Sequence, residues 1–303
     1  MSNILYSKVK FARNLKDVVF NTKLDNKGKQ NVLKLCLDAC NECGFKGEEI
    51  SKLNQSVIDN LIDANLIETD FVRDNNFKGY ASNDKASVQI NGLNHIEIFA
   101  VDDDLYTAYQ NAKQVDKILC NKLHFAYNDR LGFLNPQVDK VGSGMSVSVV
   151  VMLPALTRLN AINNLPKSCE KLMFKIEPLN TKSGLYLITS GASLGYSEKD
   201  ICNLVKTYID NVIKCEIEMC KNLAIDSDEI LDKNVRAKAI INSAVKMSTQ
   251  ELLCLIGDIL IAINCGIEKD INKNQIIQLF KLTTSQKSID EKYLAKSIKN
   301  ILK

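Results

Sequence analysis

The chain has 303 residues, of which 46% are hydrophobic and 25% are charged, which is the balance of an ordinary soluble protein long enough for two packed domains. Lysine and arginine outnumber aspartate and glutamate by only three, 39 against 36, so net charge favours neither a nucleic-acid nor a membrane partner. Because no apolar run has the length of a signal peptide or of a membrane span, we expect a cytoplasmic protein with reduced cysteines.

The first 78 residues are expected to form an α-rich region that includes a first strand motif at 6–15. Residues 16–70 carry two apolar patterns at helical spacing, and in the second pattern Leu53, Val57 and Leu61 fall on one stripe. The spacing therefore predicts helices over most of this segment.

Three cysteines in this region raise the question of a metal cluster. Cys36, Cys40 and Cys43 have the C-x3-C-x2-C spacing of radical enzymes that bind an iron–sulfur cluster and S-adenosylmethionine. Such thiolates must converge on iron from a loop, whereas here apolar residues recur at helical spacing until Gly44. We therefore favour a buried helix face and predict no metal site.

Residues 79–225 have a mixed pattern. The runs ASVQI and HIEIFAV, separated by the turn-like NGLN, indicate strands, as do SVSVVVMLP (146–154) and GLYLITS (184–190). A long amphipathic helix is predicted over 104–127. Another helix is predicted to begin near Ser197, which can cap it, and to run into the low 220s.

Residues 226–303 are almost entirely helical in pattern. The segment STQELLCLIGDILIAINCGI opens with Ser248 and Glu251 at the spacing of a capping box. No low-complexity linker separates residues 1–78, 79–225 and 226–303, so we expect the three predicted domains to pack together around a sheet.

Several stretches resemble the motifs of one family, in order. The first motif, S-S-R-[IV]-R-L-A-R-N-L, resembles YSKVKFARNL (6–15), and the second, N-E-E-D-H-[IL]-R-I, resembles NGLNHIEI (91–98). Two later motifs resemble LHFAYNDRLGFLNPQVDKVGSGMSVSVVVMLPAL (123–156) and GLYLITSGASLGYSEKDI (184–201). The family is that of the ATP:guanidino phosphotransferases, and the helical tail is most similar to that of the bacterial protein arginine kinases. The resemblance implies an α+β fold, with an antiparallel sheet flanked by helices, a small helical N-terminal region and a helical C-terminal domain used for dimerisation.

The resemblance also implies a reaction and its cofactors. Members of the family transfer the γ-phosphoryl group of ATP, with Mg2+, to a guanidino nitrogen, and they hold the phosphates with a set of arginines whose planar forks grip oxygens bidentately. By resemblance, the positions of the ATP site are Tyr6, Ser7, Lys8, Val9, Lys10, Asn65, Glu97, Ser146, Val147, Ser148, Val149, Val150 and Lys175.

The arginines of that set are replaced. Lys8 and Lys10 keep the charge and lose the fork, Glu97 reverses the charge, and Ser146 follows a Gly-Ser-Gly turn without any charge. The family's R-G-x-Y-G-E-G element has no counterpart in MFKIEPLNTKSG, where Lys175 is the nearest cation.

The acceptor side of the site is also altered. Gly92 and Leu93 stand where the family has two adjacent glutamates, and neither can accept a proton or pair with a guanidinium. Gln137 replaces the family's cysteine, and Asn65 replaces a histidine. In the tail, Leu294 replaces the second arginine of the phosphoarginine-binding motif R-D-x-x-R-A. No catalytic set is intact.

Simpler interpretations exist for individual residues. Lys8 and Lys10 could belong to a solvated strand face, and His95 could be a histidine of a turn or of the core. Gly142 and Gly144 serve the backbone whether or not an anion binds.

Two functional hypotheses remain. The first is a catalytically defective kinase relative that regulates by binding, either as a homodimer or together with an active paralogue. The resemblance also implies a zinc-finger activator or stress-response regulators as partners. Neither a nucleic acid nor a membrane is expected as a partner. The second is an active phosphotransferase whose acid comes from Asp84 or from residues 102–104. A thiol-rich scaffold without a ligand is a third possibility.

Overall fold

A computed structural model describes residues 3–63, 66–73, 76–165, 174–223, 227–284 and 290–302. The strands are β1 (Ile4–Arg13), β2 (Lys46–Glu49), β3 (Gly79–Ser82), β4 (Ser87–Ile90), β5 (Ile96–Asp102), β6 (Tyr127–Asn128), β7 (Gly132–Phe133), β8 (Met145–Met152), β9 (Lys175–Asn180) and β10 (Leu185–Thr189). The α-helices are α1 (Asn26–Glu42), α2 (Gln55–Asp63), α3 (Leu105–Cys120), α4 (Pro154–Arg158), α5 (Glu198–Leu223), α6 (Ser227–Ser243), α7 (Thr249–Asn264), α8 (Lys273–Thr284) and α9 (Glu291–Ile298).

The strands form one antiparallel sheet in the order β2-β3-β4-β5-β1-β8-β10-β9, and β6 pairs with β7 in a separate hairpin. In the first half of β1, buried and partly exposed residues alternate strictly. Since successive side chains of a strand point to opposite faces, this alternation gives the sheet two chemically different faces.

One face of the sheet is covered by α3 and α5. Val9, Phe11 and Val149 are buried there in the largest core cluster. The start of α5 follows the prediction, because Ser197 and Asp200 exchange hydrogen bonds: the Asp200 N–H donates to Ser197 Oγ, and the Ser197 N–H donates to Asp200 Oδ2, both at 3.2 Å. This face therefore forms the main core.

The other face is divided into two parts. Near one end, Leu5, Val150 and Met152 pack with Ile256 and Leu260 of α7, so the helical tail covers this end. At the other end the side chains of β1 and β8 remain partly exposed. The helix α7 begins at the predicted cap, where Ser248 Oγ accepts the Glu251 N–H at 3.1 Å.

Two segments differ from the predicted elements. Residues 46–49, expected to be helical, form the edge strand β2, because Lys46–Glu49 pairs along its length with β3. The predicted helix over 104–127 ends at Cys120, since Leu123 and Phe125 are buried in the core and Phe125 bridges to Leu15 at the end of β1.

The strand β9 was not predicted. Pro178 interrupts its pattern, which is tolerated because β9 is the outermost strand of the sheet. β1 and β2 come from the predicted region 1–78 but join the same sheet as β3 to β10. The boundaries 1–78, 79–225 and 226–303 stay predictions.

The three clustered cysteines lie on α1 and at its C-terminal cap. Cys36 and Cys40 are buried, and burial raises the pKa of both thiols, that of Cys40 to about 12. This helix face confirms the interpretation made from the spacing. Within the described residues, no group of three His, Cys, Asp or Glu side chains is placed to hold a metal ion. None of the helices in the described ranges combines the length and the apolar character of a membrane span.

Candidate functional site

The candidate site is the partly exposed end of the sheet face that the tail leaves open. Antiparallel register places Lys8 of β1 opposite Ser148 of β8, and Lys10 opposite Ser146. On the other side of β1, Lys10 lies opposite Phe99 of β5. Two lysines and two serines therefore share one face over two neighbouring strands.

A glutamate from a distant part of the chain bridges the two lysines. Glu68 Oε1 lies 2.7 Å from the Lys8 Nζ, and Glu68 Oε2 lies 2.9 Å from the Lys10 Nζ. The Lys10 Nζ also lies 3.3 Å from Glu97 Oε2, and the second oxygen of Glu97 accepts a hydrogen bond from Asn94 at 3.0 Å. We call Lys8, Lys10, Glu68 and Glu97 the lysine–glutamate network. Its formal charge is zero.

Proton affinities in the network follow from burial and from pairing. Burial disfavours the charged form of Glu68, but the charges and hydrogen bonds of Lys8 and Lys10 outweigh it and lower the pKa of Glu68 to about 2. Burial lowers the pKa of Lys8 despite the attraction of Glu68. Burial also opposes the charge of Lys10, but Glu97 and Glu68 together raise its pKa. At neutral pH Glu68 is ionised and held by both lysines.

The short segment 66–73 holds Glu68 in place. Ile67 and Phe71 are buried on either side of it and pack with Ile50 and Ile58 in a small separate cluster. The amino group of Lys78 donates to the Phe71 carbonyl oxygen at 2.7 Å. The buried side chains of Ile67 and Phe71 therefore fix the segment so that the carboxylate of Glu68 faces the sheet.

A third lysine approaches from the loop before β8. The amino group of Lys140 donates to the carbonyl oxygens of Ser190, at 3.4 Å, and of Gly191. Burial lowers the pKa of Lys140, and the positive charge of Lys10 lowers it further, whereas Asp139 opposes both effects. Lys140 is thus near the network and engaged with backbone.

The Gly-Ser-Gly turn is held by a buried arginine. The backbone of Gly144 has φ +60°, and a Cβ there would lie 2.8 Å from the Ala12 carbonyl oxygen. The Arg13 guanidinium donates to the carbonyl oxygens of Ala12 and Ser143, both at 2.9 Å, and pairs with Asp116 at 2.8 Å. The turn therefore has a structural role that does not require an anion.

Most residues predicted for the ATP site lie on one of the two faces of the sheet. The face of the network carries Tyr6, Lys8, Lys10, Glu97, Ser146, Ser148 and Val150, of which Val150 is buried under the tail. The opposite face buries Ser7, Val9, Val147 and Val149. Lys175 lies on the outermost strand and pairs with Glu177 at 2.6 Å. Asn65 lies outside the described residues. Nucleotide binding at these positions stays a prediction.

The predicted acceptor positions lie at the turn between β4 and β5. Leu93 is 41% exposed, and a Cβ added to Gly92 would lie 3.8 Å from the carboxyl carbon of Glu97. Gln137 precedes the 3-10 turn Val138–Lys140. The alternative acids are remote: Asp84 and Asp102 lie at the far ends of β4 and β5.

His95 is a core residue, as the simpler interpretation predicted. Its ring is fully buried, with Nδ1 accepting the Leu15 N–H at 2.9 Å and Nε2 lying 3.0 Å from the Val19 carbonyl oxygen. Burial lowers its pKa, so the neutral imidazole ties the end of β1 to the loop that follows it.

Sequence reasoning missed Glu68 and Lys140. Lys140 stands two residues before Gly142, so its closeness to the turn was a usable signal. Glu68 ends the short segment 65–68 that was matched to a family motif for Asn65, but its distance of 58 residues from Lys10 in the chain gave no signal that the two would pair.

These residues do not fit a polyphosphate with its metal ion as they stand. Lys8 and Lys10 present their charges to Glu68 and Glu97, and carboxylates at phosphate positions repel an anion. An incoming phosphate group would have to displace Glu68 from both lysines.

Comparisons with known proteins agree with the motifs. The profile of the ATP:guanido phosphotransferase C-terminal catalytic domain matches residues 31–219. A protein-arginine kinase of Halothermothrix orenii is 27% identical over 296 residues, which cover 92% of this chain and 84% of that protein. A protein-arginine kinase of Clostridium kluyveri is 27% identical over 312 residues, which cover 98% of this chain and 90% of that protein.

Solved structures are similar in fold. A lombricine kinase structure superposes with a TM-score of 0.62 at 16% identity and covers 75% of this chain and 68% of its own. The duplicated taurocyamine kinase from Schistosoma mansoni gives a TM-score of 0.58 at 17% identity, covering 71% of this chain, which spans about a third (32%) of that duplicated protein. These likenesses confirm the predicted antiparallel sheet flanked by helices.

Proposed function

The chain belongs to the ATP:guanido phosphotransferase family, and from that premise we propose that it is a protein-arginine-kinase-like member that transfers no phosphoryl group and acts by binding other proteins. One observation carries this proposal: Glu68 and Glu97 already neutralise Lys8 and Lys10, the lysines at two of the phosphate positions. Catalysis of phosphoryl transfer depends on fixed cations that face the phosphates.

The size of the expected loss supports the same conclusion. Removing a single preorganised donor from an active site costs about 100- to 1000-fold in rate. Here Glu97 and Ser146 supply no positive charge, and Gly92 and Leu93 supply no base. Losses within one site are not additive, but their combination leaves little turnover.

The direct test is nucleotide binding with and without Glu68. Isothermal titration calorimetry with ATP and Mg2+ is expected to show no binding to the unaltered protein at millimolar nucleotide. Glu68→Gln removes the bridging charge and keeps the hydrogen-bonding shape, so it should bind ATP with a dissociation constant of about 1 mM or tighter. Glu42→Gln, which changes a glutamate paired with Lys122 away from the predicted ATP positions, is the matched control and should bind no ATP.

A second test addresses chemistry. The double variant Glu97→Arg, Ser146→Arg restores two cations but no acid at residues 92 and 93. It is expected to transfer no labelled phosphate from ATP to an arginine-containing protein. Arginine phosphorylation by the unaltered protein or by this double variant would overturn the proposal.

One observation favours the second candidate, an active ATP-dependent phosphotransferase to a protein arginine. The carboxyl carbon of Glu97 would lie 3.8 Å from a Cβ at residue 92, so an acid lies next to the acceptor position. If the unaltered protein phosphorylates arginine, Glu97→Gln separates the two roles of this residue. Loss of activity by about 100-fold would make it the base, whereas a gain would make it an obstacle to phosphate.

The binding role that we propose is cytoplasmic and depends on a protein partner: a second copy, an active paralogue, a zinc-finger activator or a stress-response regulator. Tail helix α7 buries its apolar residues inside the chain. In contrast, Leu231 and Val235 of α6, 47% and 56% exposed, lie four residues apart on one helix face. If the chain self-associates through this face, analytical ultracentrifugation should show a dimer for the unaltered protein and a monomer for the α6 variant Leu231→Lys.

A further inference from the structure

A separate cavity lies on the side of the sheet opposite the lysine–glutamate network. It forms where the start of α3, the middle of α5 and the start of α8 meet β1 and β8, and its volume is about 310 Å3. This volume is at the lower end of the range for small-molecule sites, about 300 to 1000 Å3. Ser7 and Val149 line the cavity from neighbouring strands, and both point away from the face of Lys8.

Ser7 offers a polar ligand a hydrogen-bond donor. Its side chain lines the cavity although the residue is only 2% exposed. Within the part of the chain that the structure describes, the hydroxyl of Ser7 has no protein partner, and it is not among the fully enclosed side-chain atoms without a hydrogen bond. The hydroxyl therefore opens to the cavity, where it can donate to a polar atom of a bound ligand.

The rim of the cavity carries charges of both signs. Asp103, at the start of α3, faces Lys273 of α8 across a gap of 3.5 Å, and Lys206 of α5 pairs with Asp210 at 3.0 Å. Asp104 caps α3 by accepting the Thr107 N–H through one carboxylate oxygen at 2.8 Å. The Asp103–Lys273 pair is long for an ion pair, so a ligand with one charged group for each member can displace this contact.

The floor of the cavity is apolar and branched. Ile4, Val149, Val205 and Ile209 line it, together with Leu105. Such a floor favours an aliphatic group, because burying apolar surface is favourable and needs no directional partner. The cavity therefore combines a carboxylate side, an ammonium side and an aliphatic floor.

We propose that this cavity binds an aliphatic α-amino acid. The ligand's ammonium group lies against Asp103 and Asp104, its carboxylate takes the place of Asp103 on Lys273 and of Asp210 on Lys206, and its side chain covers the floor. Ser7 donates to the ligand carboxylate. Because Lys273 belongs to the tail and Asp103 to the end of the sheet, an occupied cavity ties the tail to the sheet and stabilises the native state.

The test is calorimetry and thermal unfolding of the full chain with L-leucine as the probe. We expect a dissociation constant of about 1 mM or tighter and a rise in melting temperature at 10 mM leucine. 4-Methylpentanoate lacks the ammonium group and 3-methylbutylamine lacks the carboxylate. Each analogue should bind at least about tenfold more weakly, because each loses charge-assisted hydrogen bonds.

Variants locate the site on the protein. Lys206→Met and Ser7→Ala should each weaken leucine binding, the first by about tenfold or more and the second by less. Lys122→Met, which removes a lysine from an exposed pair with Glu42 just beyond the opposite end of α3, should leave binding unchanged. Circular dichroism of each variant without ligand checks that it folds.

Three results would overturn the proposal. They are the absence of heat and of a melting shift with 10 mM leucine, equal binding of leucine and both analogues, and unchanged leucine binding in Lys206→Met. The proposal is independent of the nucleotide tests, since those concern the opposite face of the sheet.

Discussion

The two faces of strand β1 hold positive charge in different ways. On one face, Lys8 and Lys10 are partly exposed and held by carboxylates from other segments, with the side chain of Glu68 35% exposed. On the other face, which α3 covers, Arg13 is completely buried and bound by Asp116 and two backbone carbonyl oxygens. In the family motif that YSKVKFARNL resembles, all three positions are arginine.

The difference separates two uses of arginine in one motif. Arg13 supports the turn at Gly144 and is an arginine here as in the motif, because only a planar fork can reach Asp116 and both carbonyl oxygens at once. At Lys8 and Lys10 the contacts are point-charge contacts with Glu68, which lysine provides as well. The geometry of the fold therefore requires arginine only on the buried face, at Arg13.

The largest expected effect tests the buried face of β1. Arg13→Met leaves Asp116 buried without its guanidinium, and we expect the free energy of unfolding to fall by about 3 to 5 kcal/mol, measured by urea denaturation. The double variant Arg13→Met, Asp116→Leu should recover much of this loss. Lys122→Met, in an exposed pair, should change stability by less than about 1 kcal/mol. Similar losses for Arg13→Met and Lys122→Met would remove the contrast.

A buried acid without a lysine partner gives the next effect. Glu216 accepts the backbone N–H groups of Ala155 and Leu156 at 2.8 and 2.9 Å, but burial raises its pKa to about 7. The native state then holds this proton more tightly than the unfolded state. The free energy of unfolding should therefore fall as the pH rises from about 4.5 to about 7, by up to about 3 kcal/mol.

The control for this pH dependence is Glu216→Gln, which cannot titrate. Chemical denaturation of both proteins at several values between pH 4.5 and pH 8 measures the difference. Parallel stability curves for the two proteins would show that Glu216 does not titrate in this range.

The turn beside Arg13 gives a smaller effect. Gly144→Ala places a Cβ 2.8 Å from the Ala12 carbonyl oxygen at φ +60°, and we expect a loss of about 1 to 3 kcal/mol. Gly195→Ala is the matched control, since its φ is +82° but no atom lies within 4 Å of the added Cβ. It should lose only about 1 kcal/mol. Equal losses measured by denaturation would mean that the turn can relax.

The smallest effect tests the partly exposed face of β1. Because the pKa of Glu68 is lowered to about 2, its contribution to stability is present above about pH 4.5 and is lost as the pH falls towards 2. The side chain is partly exposed, so solvent screening limits this contribution to less than about 1 kcal/mol. Comparison of the acid unfolding of the unaltered protein and Glu68→Gln measures it. A steeper pH dependence in the variant would contradict the assigned pairing.

Local signals predicted much of the fold. The alternation of β1 and β8, the cap at Ser248 and the turn NGLN each depend on residues that are near one another in sequence, and each was found at its predicted place. The two segments that differ depend on distant partners. β2 is a strand because β3 pairs with it, and α3 ends early because Phe125 packs at the end of β1.

The sequence by itself determined the family, the antiparallel sheet with its flanking helices and the loss of arginine at the phosphate positions, because periodicity and motif spacing are local properties of the chain. Only the tertiary structure decided what replaced those arginines. Glu68 reaches Lys8 and Lys10 across about 60 residues of chain, and Ser7 meets α5 and α8 in a cavity. Such contacts arise from packing between remote segments, which no local pattern encodes.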